Sequence, residues 1–239
     1  MFPDNVAVII ETNPDSVDNL VPIMMHFSNV LGSQWPIILY TLEENWNQPS
    51  SVLFSKAIDS ERIQVRFLPN GTEFEGHYSL SVFMTQPWIW EQLESAQRVL
   101  FFQPDSIICS NAEVSIEDFL EWDLIGAPID PQFGQGYNGG LTLRNPKAML
   151  ELVRQKSFQD DLSGGGPENV FEDQWFYVKL KERGAKLPDV DVAKTFSVET
   201  IYYEKPFGYH QPMRWQEARM DDIKQWCPEV GMLIGRRFS

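Results

Sequence analysis

The sequence predicts one α/β domain whose buried strands alternate with helices, and three observations carry that expectation. Val6–Ile10 is a continuous apolar run rich in β-branched residues, and Val99–Phe102 is a second apolar run, as strands buried on both faces require. Between the first strand and the next, Leu20, Met24, Phe27 and Leu31 fall on one helical stripe, which makes a strand-helix-strand unit. Finally, 239 residues with 43% apolar content suffice for one full core. No internal repeat or compositional break marks a second domain, so a single domain spans 1–239.

The elements follow in order. After the first strand, Asn13-Pro14 supplies a cap and a first-turn proline, and Gly32 ends the helix. Pro22 must bend that helix or mark its true start. Trp35–Tyr40 reads as the second strand and Ile63–Leu68 as a third, more alternating one. Residues 78–93 carry a helical pattern that Pro87 divides. The fourth strand, Val99–Phe102, runs straight into Gln103-Pro104-Asp105-Ser106. In open parallel sheets ligands bind beyond the carboxyl ends of the strands, so Asp105 is positioned for ligand chemistry.

Further on, Asp123–Pro128 and Gly136–Arg144 are strand-like segments containing glycines that let backbone approach a ligand. Pro146–Lys156 reads as a helix, and Asp160–Asp173 as a flexible, Gly-rich acidic loop, a candidate lid to be ordered by a bound donor. A helix begins at Phe171–Trp175, with Phe171, Trp175 and Val178 as its expected buried stripe.

Charge excludes some partners. A net charge of −15 argues against nucleic acid, whose phosphates require clustered Lys and Arg. It also means that a diphosphate ligand would need a divalent cation as intermediary. Cys109 and Cys227 lie far apart without metal-ligand spacing and read as buried thiols. No run approaches the roughly 20 apolar residues of a membrane span. His26 falls off the apolar stripe of its helix and is expected to be exposed; neither it nor His77 is assigned a role. Aromatic residues exceed what a simple core needs, so some are expected to line a cleft that stacks sugar rings.

Taken as an ordered set, five motifs carry a resemblance: Phe102-Gln103-Pro104-Asp105-Ser106, Leu124-Ile125-Gly126-Ala127-Pro128, Tyr137-Asn138-Gly139-Gly140, Glu172-Asp173-Gln174 and Gly208-Tyr209-His210-Gln211-Pro212. Over about Val6 to Trp215 the chain resembles the GT-A type nucleotide-sugar glycosyltransferases, and within them a glycosyltransferase-like domain family of unknown function. The resemblance implies a Rossmann-like domain with a mixed, mostly parallel central sheet flanked by helices. It implies transfer of a sugar from a nucleotide diphosphate sugar, a UDP-sugar by preference, to a carbohydrate or other hydroxyl acceptor, with inversion.

By the same resemblance Asp105 takes the position of a metal-binding acid and His210 that of a late metal ligand, for Mn²⁺ or Mg²⁺. Gln103 stands where the superfamily has its first acid, one formal charge fewer for the cation, although its amide oxygen can still ligate. Gln103, Asp105 and Ser106, with Glu11 and Thr12 beyond the first strand, are the expected donor contacts. Asn138, Gly139 and Gly140 are the expected sugar contacts. Taken alone, Glu172 and Asp173 complement a helix dipole. The resemblance makes one of them the base that deprotonates the acceptor, and Asp173 is chosen. The alternative is a non-catalytic domain binding carbohydrate or nucleotide sugar, prompted by Gln103. A nucleotidyltransferase ranks last, because 11–15 is acidic where a basic Gly-rich loop is usual. The compartment stays open between the cytoplasm and the catalytic fragment of an anchored enzyme.

Overall fold

The computed structural model describes residues 4–164 and 171–233. From its start the chain alternates strand and helix: β1 (Asn5–Ile10), α1 (Pro14–Leu31), β2 (Ile37–Thr41), α2 (Val52–Asp59) and β3 (Ile63–Phe67). Then follow α3 (His77–Met84), α4 (Pro87–Leu93), β4 (Arg98–Phe102) and β5 (Ser106–Ile108). β6 (Leu124–Pro128) and β7 (Tyr137–Arg144) lead to α5 (Pro146–Gln155), α6 (Phe158–Ser163) and α7 (Glu172–Glu182). The last part holds α8 (Val190–Phe196), β8 (Ser197–Val198), β9 (Gly208–His210), α9 (Pro212–Trp215) and α10 (Met220–Trp226).

The central sheet has the order β3-β2-β1-β4-β7-β6. β3, β2, β1 and β4 are parallel neighbours, whereas β7 runs antiparallel to both β4 and β6. This is a mixed, mostly parallel sheet flanked by helices, as expected from the sequence. The apolar runs explain its centre: Val6 to Ile9, Ile37 to Leu39 and Val99 to Leu100 have no exposed surface. Burying a Val, Leu or Ile side chain contributes roughly 1.5–3 kcal/mol, so a sheet sealed on both faces is the main source of stability. Phe27 of α1 stacks on Phe102 of β4 with centroids 4.0 Å apart, which fixes the first helix over the strand that leads into the motif around Asp105.

A second sheet, β5-β9-β8, was not legible in the sequence. β5 pairs antiparallel with β9 in the register Ser106–His210, and β8 pairs parallel with β9. Each strand is only two or three residues long, too short for a periodic signal.

Several expectations require correction. Cys109 and Cys227 are not thiols but form a disulfide, with Cα atoms 4.9 Å apart, because the fold brings the end of β5 against the end of α10. His26 is half-buried rather than exposed, and its Nε2–H donates to the Ile108 carbonyl at 2.7 Å. Pro22 lies inside α1 on an exposed position, so it is not the helix start. Residues 160–163 are helical, not loop. Residues 165–170 of the lid expected over 160–173 lie outside the described residues. In α7 the buried stripe is Asp173, Trp175, Phe176 and Leu180, while Phe171 is 44% exposed. Among the described residues no helix is long and apolar enough to cross a membrane.

Candidate active site

Two adjoining cavities, of about 240 and 330 Å³, open beyond the carboxyl ends of β1 and β4. His77, Leu80, Gln103, Gly139, Glu172 and Gln211 line both, so they form one cleft. The smaller is walled by Ile10 and Glu11 at the end of β1 and by Phe101 to Asp105 at the end of β4. Glu11 is anchored there: its carboxylate accepts from the N–H groups of Asn13, at 2.8 Å, and Thr12. Burial pushes its carboxyl above the ordinary value.

Asp105 and His210 meet at the floor. The second sheet achieves this, since β5 follows Asp105 directly and β9 ends at His210. His210 Nε2 lies 3.3 Å from Asp105 Oδ1 and 3.1 Å from Gln103 Oε1, while Nδ1 lies 3.0 Å from Glu199 Oε1. Burial alone would lower the imidazole, but hydrogen bonds and charge from Asp105 and Glu199 outweigh it, and His210 is pushed up to about 9. Burial acts to raise Asp105, but its contacts with His210 and Gln211 prevail and hold it below the usual carboxylate value. Gln211 reinforces the arrangement, its N–H donating to the Asp105 carbonyl at 3.1 Å and its side-chain amide to Asp105 Oδ2 at 2.8 Å. Its backbone is left-handed, φ 45°, a conformation that costs a non-glycine residue about 1–2 kcal/mol.

Gly140 makes the close approach possible. A Cβ there would lie 2.1 Å from His210 Nε2, so only glycine allows β7 to pass beneath the imidazole. Ser106, expected as a donor contact, is fully buried instead. Its hydroxyl donates to the Gly140 carbonyl at 2.6 Å and thereby clips β5 to β7. Asn138 Oδ1 accepts from the Gly140 N–H at 2.7 Å, and both residues line the larger cavity.

The start of α7 supplies the facing carboxylates. Asp173 is buried, accepting from the N–H groups of Gly139 at 2.8 Å and Gln174 at 2.7 Å. Burial and the neighbouring Glu172 charge push it up to about 7, against the pull of those N–H groups and of Arg144. Glu172 accepts from the Ser81 hydroxyl at 2.6 Å and stands 3.8 Å from Arg144 Nη2. Arg144 is 1% exposed and packed among Trp90, Phe101 and Phe176, with its guanidinium carbon 5.3–5.9 Å from the three ring centroids. Of the residues expected from sequence, Glu11, Gln103, Asp105, Asn138, Gly139, Gly140, Glu172, Asp173 and His210 line the cleft. Thr12 adjoins it through Glu11, and Ser106 lies beneath. Glu199, Arg144 and Ser81 were missed, since only long-range packing brings them there, whereas Gln211 stands beside His210 in the quoted motif but was given no role. Among the described residues no three His, Cys, Asp or Glu side chains group as a metal site.

The six-stranded α/β sheet with this cleft at its strand ends matches the fold of a solved glycosyltransferase. The crystal structure of the apo-form glycosyltransferase GlyE of Streptococcus pneumoniae TIGR4 matches with a TM-score of 0.53 at 16% identity. The match covers 88% of this chain and 54% of that one, so the chain spans about half the length of that protein. A second GlyE crystal structure from the same organism matches at 19% identity with a TM-score of 0.46, over 77% of this chain and 43% of that one. No curated protein matches the sequence. Residues 62–210 match the family described as protein of unknown function DUF5672, and the chain belongs to that family.

Proposed function

We propose that the chain is a GT-A type, inverting glycosyltransferase, assisted by Mn²⁺ or Mg²⁺, that moves a sugar from a nucleotide diphosphate sugar, UDP by preference, to a carbohydrate or other hydroxyl acceptor. The observation that carries this reading is the convergence of Asp105, Gln103 and His210 on one point of the cleft floor. With the Nε2 proton of His210 displaced on binding, the donor set suits a hard cation. Neighbouring ligands around a six-coordinate ion at about 2.1 Å stand roughly 3 Å apart, close to the 3.1 and 3.3 Å separations from His210 Nε2. Glu199 on Nδ1 is the carboxylate that orients a ligating imidazole. Two oxygens and one nitrogen are too few alone, so the donor phosphates would complete the shell. When bound, the cation would stabilise charge on the departing diphosphate.

The chain's own residues do the rest. Glu11 and the apolar wall at the end of β1 receive the nucleoside, and Asn138 to Gly140 face the sugar. The acceptor oxygen bonds to the anomeric carbon as the bond to the diphosphate breaks, its electron pair leaving with the diphosphate. The acceptor proton passes to the Asp173 carboxylate, whose raised pKa makes it a competent base near neutrality.

A thermal-shift panel of nucleotides and nucleotide sugars, with and without Mn²⁺, tests the reading; selective stabilisation by one nucleotide is expected. Asp105→Ala is expected to fold normally and lose most turnover, measured as sugar transfer. Wild-type rates in that variant would remove Asp105 from the mechanism. Gln103 in place of an acid favours a second reading, a non-catalytic domain that binds nucleotide sugar or carbohydrate. Donor hydrolysis followed over hours separates the two, since a binding domain yields none.

A further inference from the structure

We propose that the outer wall of the larger cavity is a saccharide subsite, in which a pyranose ring stacks on Phe133, backed by Trp215 and rimmed by Asn138, Gln174, Thr200 and Arg214. Its role as the acceptor site rests on the glycosyl-transfer reading; its capacity to bind sugar does not.

Phe133 is half exposed and lines the larger cavity. Its centroid lies 5.0 Å from that of Trp215, tilted by 58°, and the Arg214 guanidinium covers Trp215 at 4.9 Å. The open ring of the pair is therefore Phe133. A pyranose has an apolar face of C–H groups and a rim of hydroxyls, which matches one ring sharing a cavity with two amides, a hydroxyl and a guanidinium. A lipid acceptor would require a continuous apolar groove, whereas the rest of this cavity is lined by Asn138, Glu172, Asp173, Gln174, Glu199 and Thr200 among others.

The platform is fixed rather than loose. Phe133 N–H donates to the Asp130 carbonyl at 2.8 Å, and Asp130 N–H donates to Thr200 Oγ1 at 2.9 Å. Gly134 and Gly136, with φ of 149° and 90°, press the turn onto α7: a Cβ at either would stand 2.1 Å from Gln174 Oε1 or 2.5 Å from Tyr177 Cγ. Gln135 N–H donates to Gln174 Oε1 at 3.2 Å. The turn that presents Phe133 is thus docked on the helix that carries Asp173. Trp215 is tied to the other end of the cleft, because its N–H donates to the Gln211 carbonyl and Gln211 binds Asp105. A ring seated on Phe133 would be referenced to both ends of the reacting centre, which is the positional control that transfer to one hydroxyl demands.

The test uses the full chain without any donor. Saturation-transfer NMR is run against a panel of gluco-, galacto-, manno- and N-acetylhexosamine disaccharides, and each binder is titrated by calorimetry. At least one disaccharide is expected to bind. Phe133→Ala is expected to weaken it about tenfold, as loss of one aromatic stacking partner does, while the melting temperature falls by no more than about 5 °C from loss of the Trp215 contact. Phe133→Tyr, which restores a ring, should return the affinity to within about twofold. Binding by no saccharide, or binding indifferent to Phe133→Ala, overturns the subsite. Disaccharide binding through Phe133 without transfer from any nucleotide sugar would leave the subsite standing and sink the transferase reading alone.

Discussion

Asp173 sits where three influences oppose one another: burial and the Glu172 carboxylate hold its proton on, while two backbone N–H groups and Arg144 favour its release. With the balance near pH 7, kcat/KM is expected to rise about tenfold per unit below that value and to level off above it. Glu172→Gln removes a charge that raises Asp173, so the acid limb should move to lower pH while transfer survives. Asp173→Asn should abolish transfer and leave nucleotide affinity nearly intact. If Glu172→Gln abolishes transfer instead, the roles within the pair are reversed. At this scale the sequence was partly legible. Asp105, Asp173 and His210 could be singled out because each belongs to an ordered series of short motifs. Glu199, Ser81 and Arg144 could not, because a carboxylate 11 residues before a histidine or a serine 91 residues before a glutamate has no local signature.

Among elements, the long ones announced themselves and the short ones did not. α1 spans 18 residues, enough for its apolar stripe to repeat, and β1 is an uninterrupted apolar run. The second sheet is built from strands of two or three residues whose pairing joins Ser106 to His210, so neither periodicity nor proximity in sequence predicts it. Yet it is this sheet that brings the two ends of the site together, with β7 passing beneath. The dependence can be measured with Gly140→Ala. The added methyl meets the imidazole, so either His210 or β7 must shift, an overpacking that costs about 1–3 kcal/mol. Urea unfolding should register that loss, and transfer should fall with it while far-ultraviolet dichroism stays native. A variant with unchanged stability and activity would mean that the imidazole does not occupy the place described.

For the whole molecule, the α/β architecture with its mixed, mostly parallel sheet followed from the sequence because long apolar strands and helical stripes alternate along the chain. The covalent closure did not, since two cysteines 118 residues apart carry no spacing signal. A disulfide closing a loop of that length stabilises by about 4–5 kcal/mol in the chain-entropy account. Cys227→Ser is accordingly expected to lower the urea midpoint substantially and to steepen the denaturant slope, because the uncrosslinked unfolded chain is more expanded, both read by tryptophan fluorescence. Equal midpoints with and without the bond would show that the packing of α10 alone holds that end.

Cys109 directly follows β5, and its N–H continues the ladder by donating to the Phe207 carbonyl at 2.8 Å. Dithiothreitol, added by habit to protect enzymes during purification, would here cut the tether one strand away from the Asp105–His210 contact. Assay buffers free of reductant are the fair arena for this chain, and a silent preparation made with thiols should be reoxidised before it is counted as inactive.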